Sequence, residues 1–532
     1  MNSTRPLSDL LRDCDNEQIQ FISSIQPFGS LIVADQDRKI IAAAISKCVE
    51  FDSATVVGTS VETLLPMNFE KIYASLVGRT EPTTPNLLRS VRLNRWITCI
   101  AHQQDGLTIL ELEPAPPGSD IVPAMKFKHD KKESLEAYLS YIAENVRSAV
   151  NFDRVMIYKF APDWHGEVVA ESVDLKAQSF YGHHFPGSDI PLPARTLFTR
   201  NWVRMIADVD ATHVHLSLSG ERKEPIDLSK SILRAPAAIH LEYLRNMGVG
   251  ASLTLSLICD GTLWGLIACH HLSPKYVNAA ERSILSLIAK VVSSCITSLS
   301  IAAAVAAAEQ SARFTNELSK LVAGEHKQLI DNVRDYKNDL WKMIESDGFS
   351  FITNSEVVSD GLVPIAEDLL KLQAFLQGQD QSLVCSNAVA TLSSELDSLK
   401  RKAAGVLAVQ IADGWFVWNR QEVSRSVVWA GNPRKPVSID GQKTRIDPRS
   451  SFESWKEIVN GTSFDWRPYE MEAAVILGKS VSERIASIHK TVSVKAESYI
   501  AVLREMIHRQ AKELQSNFDN LDLEDLSAGQ DI

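Results

Sequence analysis

No CxxC pair occurs anywhere in this chain of 532 residues, and its seven cysteines (Cys14, Cys48, Cys99, Cys259, Cys269, Cys295 and Cys385) stand singly and far apart. That spacing signals neither a zinc knuckle nor a dithiol redox pair. The HExxH helix, the glycine-rich phosphate loop and the GxSxG elbow are missing as well, so metal-dependent, nucleotide-dependent and serine hydrolase chemistry lack their usual supports. Basic charge is in deficit: 55 Lys and Arg against 66 Asp and Glu, a net charge of −11. A whole-protein field for nucleic acid is therefore absent. The opening residues, "MNSTRPLSDLLRDCDNE", carry no apolar core of signal-peptide length. Scattered, odd-numbered cysteines and no leader fit a reducing, cytoplasmic setting.

Proline and glycine are absent from Lys275 through Ala323. A continuous helix there would run for about 70 Å at 1.5 Å per residue, a shape that joins two domains rather than serving one. Within it, "VVSSCITSLSIAAAVAAA" (291–308) is uncharged and near the lower limit for a membrane span. It is built from Ala, Ser and Thr and closely bracketed by Lys290 and Glu309. A buried helix–helix seam, also usable as a dimer contact, is expected instead of a membrane segment.

What is present describes a soluble globular protein: 45% hydrophobic and 23% charged residues. The length asks for about three domains. Residues 1–120 read as a small mixed domain, with "GSLIVADQDRKIIAAA" as a hairpin and "EPAPPGSD" as its boundary. Residues 121–310 hold the strand-like "RVMIYKF" and "GEVVAESV", and the hairpin "ASLTLSLICDGTLWGLIACHH" turning at Asp260-Gly261. "ARTLFTRNWVRMIA" and "AAIHLEYLRNM" read as helices between them. Residues 311–520 form a third domain with the strand-like "GVLAVQIADGWFVWN", a long polar stretch at about 420–465, and a closing proline-free helix at about 479–520. A structureless loop as long as that polar stretch is unusual unless it is functional. Residues 521–532 are a tail. The fold class expected is α/β (α+β), three mixed domains on central antiparallel sheets.

The histidines cluster as His183/His184, His213/His215 and His270/His271, with His240 alone. Neighbours on a strand point to opposite faces, so His270 and His271 do not readily share a metal. The second domain offers imidazoles, helix-borne Arg204 and Arg234, and a carboxylate loop. A guanidinium fork suits carboxylates, and the set describes a site for a large, flat, partly anionic ligand. Taken singly, each of these residues is more often structural.

Three motifs in order decide between these readings. "FPGSDIP" (185–191), "ILRAPAAIHLEYLRNMGVGASLTLSL" (232–257) and "LWGLIACHH" (263–271) closely resemble the bilin-binding GAF domain of phytochromes. Ahead of them, "CDNEQIQFISSIQPFG" is similar to the family's PAS segment. Behind them, "PRSSFESWKEIV" resembles the tongue motif of its PHY domain. The resemblance covers nearly the whole chain in the order PAS, GAF, PHY, with a PAS–GAF knot that includes Ile25 and a PHY tongue.

Ile239 precedes the GAF histidine where plant-type phytochromes carry their attachment cysteine. Cys14 stands where bacteriophytochromes carry theirs, which implies biliverdin IXα held by a thioether. The resemblance then implies chromophore contacts from Asp189, Ile190 and Pro191, water-mediated contact from His240, and a ring D carbonyl contact from His270. Arg204 and Arg234, with Ser252 and Thr254, are expected at the propionates. Tyr158, His183, Phe185 and Tyr243 are expected around ring D, with His184 facing away. Asp189, Arg449 and Ser451 form the expected tongue switch, the tongue itself alternating between hairpin and helix.

Some positions depart from the family pattern: Gly187 for the common Ala, Phe198 for a Tyr, Ala237-Ala238 before His240, and "WAG" (429–431) for Trp-Gly-Gly. These bear on absorption maxima and on the dark-state preference. The implied function is a red/far-red photoreceptor switching between Pr and Pfr. The chain itself is not an enzyme, is expected to be a homodimer through its long helices, and has no nucleic-acid or membrane partner. The chain is expected to be either a truncated sensory module or one whose output lies elsewhere, with a response regulator or output domain as the parent's partner and a sensor histidine kinase as the family's commonest parent. The competing reading is a chromophore-free redox or dimerisation scaffold.

Overall fold

The structure, a computed structural model, describes residues 17–47, 53–65, 69–77, 79, 81–90, 95–115, 134–220, 224–321, 326–411, 414–433, 437–440, 443–446, 449–486 and 493–519. Cys14 and the 521–532 tail lie outside the described residues. Two compact units result, Met1–Ile296 with Val428–Trp455, and Thr297–Val427 with Lys456–Ile532.

The first two expected domains thus share one unit, and side-chain alternation shows why. A sheet runs in the order Ser217–Leu218, Ile40–Ala44, Ser30–Ala34, Leu107–Pro114, Arg95–Gln104, Asn86–Ser90. Its central strand Ser30–Ala34 is buried at every residue. Ile32 and Ala34 face one cluster with Val61, Leu65 and Ile72. Leu31 and Val33 face the other, with Ile226, Leu228 and Leu233 of the following domain. A strand covered on both faces reads as a continuous apolar run rather than an alternating one.

The N-terminal segment threads the same junction. Ser24–Ile25 pairs antiparallel with Val214–His215, and Ile25 bridges to Arg234. Gln26, 2% exposed, donates from Nε2 to the Met205 carbonyl at 2.8 Å and accepts from the Ala207 N–H at 3.2 Å. Glu113 closes the far side, 2.5 Å from Arg282 and accepting from the Tyr276 hydroxyl at 2.6 Å.

The second sheet of this unit runs Val203–Ile206, Ala251–Cys259, Thr262–His271, Arg154–Phe160, Gly166–Val173, His183–Phe185. The Asp260-Gly261 turn is present, with φ of 50° and 75°. Both are left-handed, as a two-residue hairpin of this twist requires. Residues 428–430 extend the sheet, Val428 beside His183 and Trp429 beside His184 in parallel register.

One expected helix is corrected. "ARTLFTRNWVRMIA" is helical only through Leu192–Arg200. Asn201 leaves the helix with extended backbone (φ −125°, ψ 120°), its side-chain amide donating to the Leu197 and Ser229 carbonyls. From Val203 the chain is a strand against Ala251–Cys259. Arg204 is therefore strand-borne and Arg234 sits in the extended stretch that bridges Ile25. Here pairing with Ala251–Cys259 outweighs the local helix propensity of 203–206.

The long helix spans Ala279–Leu321, 43 residues. Its window Ala279–Ala303 is long and apolar enough to cross a membrane by composition. Leu285, Ile288, Ala289, Val292 and Ile296 form a buried stripe at helical spacing, while Ala302, Ala303 and Ala306 are exposed.

In the second unit the sheet order is Val357–Gly361, Gly348–Thr353, Gly414–Arg420, Gly405–Ile411, Leu383–Ser386. Phe349, Phe351, Phe416 and Trp418 fill one face beneath helix Pro468–Ala486, and Leu369, Leu372 and Leu376 cover the other. The closing helix comprises Pro468–Ala486 and Ser493–Asp519, with 487–492 outside the described residues. The polar stretch holds strands Arg425–Ala430, Val437–Asp440, Lys443–Ile446 and Ser454–Val459.

Candidate bilin site

Register builds the floor of a cavity. Across neighbouring strands, Ile206, Ser252, His270 and Arg154 stand in one row. Two residues along, Arg204, Thr254, Ala268 and Met156 form the next, followed by Leu266 and Tyr158. Period-two alternation puts all of these on one face. The intervening Met205, Leu253, Leu255, Ile267 and Ile157 are buried on the other.

The roof comes from helices Leu192–Arg200 and Ala238–Asn246 and the turn before the first of them. Together they enclose about 230 Å³. Asp189, Ile190, Pro191, Arg204, Arg234, His240, Tyr243, His270, Tyr158, Phe185, Ser252 and Thr254 all line this cavity, and so do Glu17 and Ile19 from the N-terminal segment. Ile239 lines it too. Phe198, Met156, Pro236 and Met247 complete much of the apolar wall.

His183 is placed elsewhere. Its Nε2 lies 2.9 Å from the Ser454 hydroxyl, because the strand His183–Phe185 is the edge on which the tongue lies. His184 packs between the rings of His165 and Trp429, at 5.4 and 5.8 Å.

Asp189 ends a one-turn 3-10 helix, Gly187–Asp189. Arg195 steadies that turn, donating to the Ile190 carbonyl at 3.0 Å while its guanidinium lies 4.6 Å from the centre of the Trp164 ring. A Cβ at Gly187 would come within 3.0 Å of the Trp164 backbone. Asp189 Oδ2 meets Arg449 Nη2 at 2.9 Å, with the two side chains 3% and 2% exposed. The Tyr243 hydroxyl donates to the same oxygen at 3.2 Å.

Arg449 is held from both sides. Its Nη1 donates to the Ala430 carbonyl, and its own carbonyl accepts from Asn246 Nδ2 at 2.8 Å. Ser451 is exposed, its hydroxyl accepting from the Glu453 N–H at 3.3 Å.

Burial shapes the protonation states. It holds His240 down at about 4, with the Arg204 and Arg234 charges adding to the effect. Burial, then Arg154 and His240, hold His270 well below its usual range. Both rings are neutral at pH 7. Burial, reinforced by the Asp189 charge, pushes the Tyr243 phenol well up. Arg204 donates to the carbonyls of Ser231, Ile232 and Arg234, and Arg234 to that of Ile19 at 3.0 Å. Buried polar atoms here include the Tyr158 hydroxyl and Arg234 Nε, neither with a hydrogen-bond partner among the described residues. An apolar slot with two arginines, two neutral imidazoles and unsatisfied donors fits a flat ligand with anionic arms.

Arg154 and Met156 were not among the residues expected at the site from sequence. Their signal was available in the alternation of "RVMIYKF", where 154, 156, 158 and 160 share one face.

Comparison with known proteins agrees with this geometry. Family models match in order: "PAS fold" at residues 14–115, "GAF domain" at 134–296 and "Phytochrome region" at 313–490. Cyanobacterial phytochrome A of Nostoc is 36% identical over 71% of this chain and 51% of its own length. A phytochrome-like protein of Synechocystis is 31% identical over 90% of this chain and 67% of its own length. The chain thus spans about half to two thirds of these curated relatives. The photosensory core module of the Stigmatella aurantiaca phytochrome superposes with a TM-score of 0.78 at 29% identity, covering 90% of this chain and 99% of that one. Motifs, matched regions and fold agree: the chain belongs to the phytochrome family and carries its PAS, GAF and phytochrome-specific regions.

Proposed function

We propose that this chain is the light-sensing core of a red/far-red photoreceptor that holds biliverdin IXα in the cavity, joined through Cys14. The observation that carries the reading is the convergence of Asp189, His240, His270, Arg204 and Arg234 on one apolar cavity, with Arg449 of the tongue ion-paired to Asp189 at its edge. Cys14 and Ile239 support biliverdin over bilins attached beside the GAF histidine. Glu17, three residues after Cys14, lines the cavity.

A bound bilin supplies the photochemistry, absorption of light rotating ring D about the C15=C16 bond. The protein does the rest. Arg204 and Arg234, with Ser252 and Thr254, hold the propionates, and His240 orders water at the pyrrole nitrogens. Tyr243 and Arg449 share one oxygen of Asp189, so a changed hydrogen-bond demand on Asp189 or Tyr243 alters the hold on Arg449. The extended tongue is one of two forms of that segment, and a helical form is the other.

The two forms must lie within a few kcal/mol for light to move the balance. Shifting a population from 1:99 to 99:1 takes about 5.5 kcal/mol of differential interaction. The long helices carry the bias to an output module, a histidine kinase with a response regulator as partner. The chain works as a cytoplasmic homodimer.

Co-expression with a haem oxygenase tests the reading. A green product that fluoresces with zinc on a denaturing gel, loses that signal in Cys14→Ser, and changes its absorption spectrum after red or far-red light is the expected result. A colourless protein that takes up no biliverdin sinks it and returns the scaffold reading.

A further inference from the structure

Arg154 and His270 stand directly opposite each other where strand Arg154–Phe160 pairs with strand Thr262–His271. Both are buried, and Arg154 Nη2 lies 2.9 Å from His270 Nδ1. A guanidinium has donors and no acceptor. Nδ1 of His270 must therefore accept, and the single proton of the neutral ring resides on Nε2.

Arg154 is itself immobilised. Its Nη1 donates to the Gln178 carbonyl at 2.6 Å, and its guanidinium carbon lies 4.4 Å from the centre of the Phe180 ring. Glu171, the main acidic influence on Arg154, is tied to the same loop, accepting from the Phe180 N–H at 2.9 Å. Burial lowers the guanidinium only to about 10, so it remains a cation at neutral pH. His270 also lines the cavity. With Nδ1 engaged, Nε2–H is the polar atom the ring has left to offer there. An imidazolium or an Nδ1–H tautomer would set a ring N–H against the guanidinium N–H.

We propose that Arg154 is a positioning residue that locks His270 as its Nε2–H tautomer, making it an obligate hydrogen-bond donor to an oxygen of the cavity's ligand. Identification of that oxygen as the ring D carbonyl rests on the photoreceptor reading; the tautomer does not. An arginine in this position converts a histidine, which alone could donate or accept, into a donor of fixed direction. A ligand presenting a carbonyl is then selected over one presenting an N–H.

Side-chain nitrogen NMR of the histidine-labelled full chain without bilin tests this, with His270→Gln identifying the His270 signals. The expected result is a pyrrole-type Nε2 and a pyridine-type Nδ1 across the neutral range. Arg154→Lys should keep that pattern, and Arg154→Met should lose it in favour of mixed tautomers. An Nδ1–H or doubly protonated His270 in the unaltered protein overturns the proposal, as does an Arg154→Met protein whose tautomer is unchanged. Should Arg154→Met not fold, the unaltered and Arg154→Lys spectra still decide. In bilin-loaded protein, Arg154→Met should displace the red absorption band while the zinc-fluorescent adduct still forms. An unaltered protein that shows the Nε2–H tautomer but takes up no bilin supports this proposal while sinking the photoreceptor reading.

Discussion

Arg449 and Asp189, 260 positions apart in the chain, form an ion pair of 2.9 Å that is almost wholly withdrawn from solvent. Such a pair gains little over an apolar replacement, but breaking one partner strands the other charge. Removing either should therefore cost more than removing both. Asp189→Asn or Arg449→Met alone is expected to destabilise the packing of 428–455 by roughly 3–5 kcal/mol, and the double substitution by clearly less. Amide exchange of Val428–Ala430 in the two singles and the double reads this coupling. Additive effects would show that the pair is not coupled.

Gly431 has φ of +84°, and a side chain there would run into the Ser451 carbonyl oxygen. Gly431→Ala meets both penalties, a left-handed backbone worth about 1 kcal/mol or more and a clash between the two arms of the tongue. Lowered exchange protection at Trp429 and Ala430, with the second unit unchanged, is the expected outcome. Unaltered protection would contradict the close approach.

Glu111 supplies a pH dependence of definite sign. Burial lifts it from 4.5 to about 7, against the lowering effect of the Ser231 hydroxyl and the Leu233 N–H that it accepts. His102, its buried neighbour at 3.8 Å, is held down to about 3 by burial and stays neutral. The fold therefore favours protonated Glu111. That stability is present in full below the unfolded value near 4.5 and is lost as pH rises through about 7. Glu111→Gln stays uncharged throughout, so its advantage over the parent should grow between pH 5 and 8, by on the order of 3 kcal/mol at most. Urea midpoints of the two full chains across that range measure it, and parallel curves would rule it out.

Gly166 is a steric allowance for a cavity residue. A side chain there would overlap the ring of Tyr158. Gly166→Ala is expected to cost about 1–3 kcal/mol through overpacking, and because Tyr158→Ala removes the ring it presses on, the two substitutions together should cost less than the sum of the singles. A thermal scan of the singles and the double tests this. Strictly additive losses would locate the strain elsewhere.

Much of this arrangement could be read along the chain. The Asp260-Gly261 hairpin, the proline- and glycine-free helix, and the alternation of "RVMIYKF" are local signals, since turn chemistry and side-chain period act within a few residues. The order of the "FPGSDIP", histidine-helix and "PRSSF" motifs marked the family and drew Asp189, His240 and Arg449 into one hypothesis. Arg204 was misplaced on a helix because "RNWVRMI" has no breaker after Asn201, and only the partner strand Ala251–Cys259 makes it a strand.

Period two told which residues share a face, but not what would cover that face. Tertiary structure settled that, because coverage depends on segments brought together from 100 or more positions away. It turned Leu31 and Val33 toward Leu228 and Leu233, so that the first two expected domains share a core within one compact unit. It gave His183 to Ser454 rather than to the cavity. And it set Arg154 opposite His270, 116 positions apart, where the absence of any acceptor on a guanidinium determines which nitrogen of the histidine carries the proton.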